Sequence, residues 1–191
     1  MSDKSGQNFR FNMNPTLSGP RLTLRPILKA DRDGLYTAAC DPEIWAQHPA
    51  SDRHEISAFD PYFDFLMDAG GTLVAIERIK NRIIGCSRIY CVPDQPGDLA
   101  IGFTFLAQLY WGGSWNREMK QLLIAHILRC FPRVWFHIAP GNVRSQIATT
   151  RLGAKFAYDA ELLLGPNAAP YKCYKLTAED WKAATGHPLP L

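Results

Sequence analysis

Apolar and polar residues alternate over residues 21–27, as they do in a half-buried strand, and Pro26 puts that strand at a sheet edge or at its own end. Asp31 opens a helix that carries Leu35 and Ala39. Asp41 and Pro42, an N-cap residue followed by proline at the first helical position, restart the chain for a short turn bearing Ile44 and Trp45. Residues 48–54 are polar and broken by Pro49, as in a surface loop of the kind where binding residues gather. Asp60 and Pro61 start another helix with Phe63, Leu66 and Met67 on its apolar face, stopped by Gly70 and Gly71. Next come TLVAIER, RIIGCSRIYCV and LAIGFTFL, joined by turns at Lys80–Asn81 and at residues 93–97, which read as an antiparallel meander. In the last of them alternation puts Leu99, Ile101, Phe103 and Phe105 on one face and Ala100, Gly102 and Thr104 on the other. That small-residue face leaves room for a ligand or for a closely packed helix.

After Ser114 the apolar positions Trp115, Met119, Leu122, Leu123, Ile127 and Cys130 recur at helical spacing until Pro132. A strand over 133–138 follows, then a helix from Asn142 to Leu152–Gly153, strands around 158–164 and 171–176, and a short helix from Ala178. The elements make an α/β chain with about seven strands. No internal repeat or shift of composition marks a second domain.

With 191 residues, 47% of them hydrophobic, the chain can bury a sizeable core, which excludes disorder for most of its length. The formal charge of +3 comes from mixed signs without a dense basic stripe, so nucleic acid is a poor partner. No apolar run approaches the ~20 residues of a membrane span, and the polar N-terminal arm lacks a signal-peptide core; a cytoplasmic protein is expected, with no membrane partner. The five cysteines are odd in number and widely spaced, so reduced and mostly buried thiols are expected. His126 and Cys130 stand four apart on a helix, but no further ligand pair accompanies them, and no metal is expected.

The stretch FTFLAQLYWGGSWNREMK holds the clearest chemistry. Gly112 and Gly113 free the backbone for left-handed conformations, and Ser114 or Asn116 can cap the helix that follows. Unpaired N–H groups and the helix dipole then favour an anion such as a phosphate, with Arg117 and Lys120 adding positive charge nearby. No Gly-Lys-Ser/Thr follows the glycines, so this is not a nucleotide P-loop.

Four blocks, GPRLTLRPI, DPEIWAQHP, IGFTFLAQLYWGGSWNREMK and NVRSQIATTRLGAKF, in this order and at this spacing, resemble the GCN5-related N-acetyltransferase (GNAT) superfamily, in particular its ribosomal-protein N-acetyltransferase-like branch. The resemblance implies a single-domain GNAT fold over residues 17–184, with a flexible arm over 1–16 and a tail over 185–191. Its mixed, mostly antiparallel sheet is flanked by helices and splayed between the fourth and fifth strands. It also implies acetyl-coenzyme A as co-substrate, a primary amine as acceptor (a peptide or protein N-terminus or a small amine), and a monomer or homodimer. By resemblance the pyrophosphate falls on Trp111, Gly112, Gly113, Ser114, Trp115 and Asn116. The pantetheine arm follows the backbone of Thr104, Phe105 and Leu106, Asn142 helps orient it, and Ser145 serves the departing thiolate. Trp45, His48 and Arg53 would line the acceptor pocket. The chain also departs from the pattern: Ser114 replaces the second cradle glycine, Ala100 stands where many relatives carry a glutamate, and Thr149 stands where many carry a tyrosine acid.

The chemistry requires an alkyl ammonium of pKa ~10.4 to lose a proton before it attacks the thioester, while the thiolate, of pKa ~8.5, needs only modest help in leaving. A strand N–H near Phe105 or Leu106 is the natural oxyanion donor. Glu77, Asp98, His48 and His137 are the candidates for the base, and the sequence does not choose among them. A coenzyme A-binding sensor module without turnover is the alternative reading, since both familiar proton-transfer residues are absent.

Overall fold

The computed structural model describes residues 11–186 and Pro188. Eight strands form one sheet: β1 (Leu17–Ser18), β2 (Leu22–Pro26), β3 (Thr72–Glu77), β4 (Arg82–Cys91), β5 (Leu99–Leu106), β6 (Val134–Ile138), β7 (Lys155–Leu162) and β8 (Ala169–Leu176), in the order β1-β2-β3-β4-β5-β6-β8-β7. The strand beyond the expected seven is β1, a two-residue pair on the edge of β2. The helices are α1 (Arg32–Ala39), α2 (Ile56–Asp68), α3 (Trp115–Leu128), α4 (Val143–Thr150) and α5 (Ala178–Thr185). None of the helices is long and apolar enough to cross a membrane.

Helix α2 corrects the sequence reading, because it starts at Ile56, a turn before Asp60, and runs through Pro61. The buried face made by Phe59, Tyr62, Phe63 and Leu66 offsets the missing proline donor. At the other end of the chain β7 begins at Lys155, earlier than the residues 158–164 expected. Cys86 and Cys173 are buried while Cys40, Cys91 and Cys130 are exposed, so the expectation of mostly buried thiols does not hold. Within the arm expected over residues 1–16, residues 1–10 lie outside the described ones. Phe11 packs on the rings of His126 and Phe131, and the Asn14 side chain accepts from Gly71 N, so the rest of the arm is held against the domain. Most of the tail expected over 185–191 also lies outside the described residues.

Two layers of core flank the sheet. On one side α3 covers Leu24, Leu73, Ile101 and Phe136; on the other, α1 and α2 cover Val74, Cys86 and Phe105. Tyr90, Ala100, Trp135 and Cys173 make a third, smaller cluster.

All neighbouring strands run antiparallel except β5 and β6, which are parallel and pair only at Leu99↔Val134 and Ala100↔Trp135. Beyond Ala100 they part. The register between β4 and β5 shifts between Cys86 and Arg88, and Phe103 takes φ 50°, a β-bulge. An added Cβ at Gly102 would lie 2.9 Å from the Tyr90 ring, so a larger residue there would have to displace that buried ring. The bulge also corrects the expected faces. Leu99, Ile101 and Leu106 point to the α3 side, whereas Phe103 and Phe105 turn to the α1–α2 side, so no continuous small-residue face exists.

Candidate active site

The parting of β5 from β6 opens a cleft of about 1250 Å³ that passes from the α3–α4 side of the sheet to the α1–α2 side. At its α3 end a 3-10 turn (Gln108–Tyr110) leads into Gly112, whose φ of 69° is left-handed and which has no atom within 4 Å of where a Cβ would stand. Ser114 occupies the N-cap position of α3, but neither its side chain nor that of Asn116 makes the expected cap. The first-turn N–H groups are left with the helix dipole to attract an anion. Arg117 lines the same end. Ser114 and Trp115 do not line the cleft; the Trp115 ring packs edge-on against Tyr110, centroids 5.1 Å apart.

The β5 edge is partly occupied. Trp111 Nε1 donates to Leu106 O at 2.8 Å, and the Arg144 guanidinium lies over the Trp111 ring at 4.1 Å. Arg144 also donates from Nη2 to Ile44 O at 2.8 Å, and its backbone N–H donates to Gln47 Oε1 at 3.0 Å. These contacts tie the first turn of α4 to the loop that bears Trp45. Asn142 Oδ1 caps α4 by accepting from Ser145 N at 3.0 Å, which orients that turn and leaves the Ser145 hydroxyl on the cleft wall.

Trp45, His48, Arg53 and Tyr62 form the wall on the α1–α2 side. Trp45 is 3% exposed and its indole N–H donates to Ala39 O, so the ring is a core anchor whose face serves the cleft. Arg53 lies 3.7 Å above the Tyr62 ring and, among the described residues, forms no salt bridge. His48 Nδ1 accepts from Ala50 N at 3.0 Å, and its Nε2 lies 3.4 Å from Arg53 Nη1, a group that can only donate. Burial, aided by Arg53, lowers its pKa to about 4. Both ring nitrogens already face donors, one of them a cation, so His48 is poorly placed to take up an amine proton.

The other candidates separate clearly. Glu77 is buried away from the cleft, accepting from Tyr110 Oη at 2.7 Å. Asp98 accepts from Trp135 Nε1 and pairs with Arg133, both at 2.8 Å, and it too lies outside the cleft. Each satisfies a buried donor. His137, on β6, lines the cleft on the Tyr90 side of the sheet. Its Nδ1 lies 2.9 Å from Tyr90 Oη, and its buried Nε2 has no hydrogen-bond partner among the described residues. Burial lowers the imidazole pKa to about 4, so it is neutral at physiological pH.

Sequence reasoning missed Tyr90, Arg144 and above all the place of Lys120, which it assigned to the phosphate end. Lys120 is 7% exposed, its Nζ donates to Thr104 Oγ1 at 2.7 Å, and Thr104 Oγ1 in turn lies 2.7 Å from Ser87 Oγ. The signal was available: Lys120, Leu123, Ile124 and Ile127 share the i, i+3, i+4, i+7 stripe that faces the sheet, so a lysine occupies an apolar position.

A family model described as an acetyltransferase (GNAT) domain matches residues 21–155. No curated protein sequence matches the chain. Among solved structures, a GCN5-related N-acetyltransferase from Brucella melitensis superposes with a TM-score of 0.77 at 15% identity, covering 94% of this chain and 87% of that one. An acetyltransferase of the GNAT family from Bacillus anthracis gives 0.66 at 14% identity, over 86% and 99% of the two chains. Mycobacterium smegmatis RimJ, in complex with CoA-disulfide, gives 0.62 at 16% identity, over 91% and 94%.

Proposed function

The chain belongs to the acetyltransferase (GNAT) family, and from that premise we propose that it transfers an acetyl group from acetyl-coenzyme A to a primary amine by direct attack. The acceptor is a peptide or protein N-terminus or a small amine. The observation that carries the reading is the parting of β5 from β6 beside an uncapped helix start, which gives an acyl-CoA both a slot and an anion cradle.

When bound, the cofactor supplies the activated acyl group. The backbone at Trp111, Gly112, Gly113 and Asn116 would hold its pyrophosphate, and Thr104, Phe105, Leu106 and Asn142 would border its pantetheine arm. Trp111 gives up Leu106 O to that arm as it binds. The acceptor enters from the opposite face between Trp45, His48 and Arg53, where it meets His137. With Nδ1–H donating to Tyr90 Oη, His137 Nε2 would carry a lone pair that takes the proton of the attacking nitrogen as the C–N bond forms, once the acceptor or a water reaches this buried atom. Ser145, at the first turn of α4, donates to the departing sulfur.

Isothermal titration with acetyl-coenzyme A tests the proposal, with saturable binding expected. Absence of heat at millimolar ligand would defeat it. Release of free thiol during incubation with peptide and small-amine panels distinguishes turnover from binding alone.

A further inference from the structure

We propose that Lys120 is a leaving-group residue of this site, whose ammonium meets the coenzyme A sulfur and stabilises the departing thiolate as an ion pair from the α3 side of the sheet. This rests on the acyl-CoA reading above and assigns the leaving-group role to a residue that replaces the missing tyrosine.

The placement comes first. Lys120 lies one and a half turns along α3 from the cradle, roughly 8 Å by the helical rise, and α3 runs back over β5 from there. A chain that starts at Gly112 and follows the β5 edge therefore travels toward Thr104, where the Lys120 ammonium is held. Across the split, the Phe136 ring lies 5.6 Å from Nζ. The bulge at Phe103 and the last β5–β6 pair at Ala100 close the slot beyond, so the reactive end of the ligand must stop beside Lys120.

The surroundings make this lysine unlike a structural one. The β5 and β4 groups facing it are the neutral hydroxyls of Thr104 and Ser87, and β6 offers only Phe136. Cys86 on β4 is the one titratable group acting on it, and burial pushes that thiol up to about 12, so it is uncharged. Arg117 stands a turn earlier on its own helix. Among the described residues no carboxylate pairs with Lys120. A buried cation without a counter-ion is costly, and it is relieved by an anion that forms beside it.

Burial lowers the Lys120 pKa from 10.5 to about 7. A thiolate, of pKa ~8.5 when free, restores at this point the counter-ion that the buried ammonium lacks, so each charge favours the other. In the step, the amine nitrogen forms the C–N bond, and the C–S electron pair leaves with sulfur. The thiolate leaves paired with the Lys120 ammonium until it takes a proton from water, and the nitrogen's extra proton passes to His137. Exchange with water then restores His137.

The test needs no acceptor. The thiolate absorbance of bound coenzyme A is titrated against pH, with the complex of desulfo-coenzyme A subtracted to cancel the protein's own cysteines. The expected midpoint lies at least one unit below the ~8.5 of the free thiol. Lys120→Met, which keeps the length of the stem, should return it to ~8.5 or above, with the Kd for desulfo-coenzyme A changed less than threefold. Equal midpoints in both proteins would overturn the inference while leaving the acyl-CoA reading standing. If the variant does not fold, a wild-type midpoint at or above that of the free thiol overturns it equally. No binding of either ligand to wild type defeats the acyl-CoA reading instead.

Discussion

Tyr90 Oη and His137 Nδ1 lie 2.9 Å apart behind the wall of the cleft, joining β4 to β6 across β5, and His137 Nε2 is buried without a partner among the described residues. If His137 is the base, His137→Gln lowers acetyl transfer by about 10²–10⁴, with acetyl-coenzyme A affinity preserved, while His48→Gln has a much smaller effect on kcat. The same burial gives a pH signature. The native imidazole titrates near 4 and the unfolded one near ~6.5, so between those values the unfolded state holds more protons. This stability is full above ~6.5 and is lost as pH falls through the window. The drop in urea midpoint from about pH 7 to about pH 5 should therefore shrink in His137→Gln; His48, with the same sign of shift, keeps it from vanishing.

Gly112 makes a separate prediction because its φ of 69° asks for glycine while the space around it is open. Gly112→Ala costs about 1–2 kcal/mol of stability through the left-handed backbone alone. Gly112→Asp adds a negative charge where a pyrophosphate is proposed to bind, and the Kd for coenzyme A rises at least tenfold. An unchanged constant would show that the anion binds elsewhere.

Arg144 clamps the first turn of α4 to the 42–47 loop through Ile44 O and stacks on Trp111. Arg144→Met removes a charge-assisted hydrogen bond and a cation–π contact, together worth about 1–3 kcal/mol. We expect faster hydrogen exchange at Ser145 and at Gln47, with the exchange of the α3 core unchanged. Arg144→Lys should not restore it, because an ammonium cannot both stack flat and reach the carbonyl.

Asp98 and Glu77 are expected to matter for folding and not for turnover. Asp98→Ala leaves the buried Trp135 indole N–H without its acceptor and costs about 1–3 kcal/mol. Glu77→Gln keeps a carbonyl oxygen for Tyr110 and costs less. Denaturation midpoints should fall in that order, while kcat of the folded fraction stays within twofold of wild type.

Much of the donor side of this site is local in sequence. A Gly-Gly turn before an amphipathic helix, and an Asn-x-x-Ser helix start, are built by near neighbours through backbone propensity and capping, and both appear where the pattern put them. The acceptor side is legible only as a loop. Its chemistry depends on Tyr90 meeting His137 and on Ala50 occupying His48 Nδ1, relationships that no periodicity encodes.

The sequence by itself determined the α/β class, nearly every element and the position of the Gly-Gly turn before α3, because these follow from hydrophobic period and turn residues over short spans. The fold decided the rest. Whether Phe103 continues the alternation of β5 or breaks it depends on the register against β4 and on Tyr90 filling the space over Gly102. That break swings β5 away from β6 and opens the cleft, beside which Lys120 is buried with no counter-ion among the described residues. Burial and partners across the sheet set the proton affinities of Lys120 and His137, and desolvation belongs to the packed molecule, not to the residue.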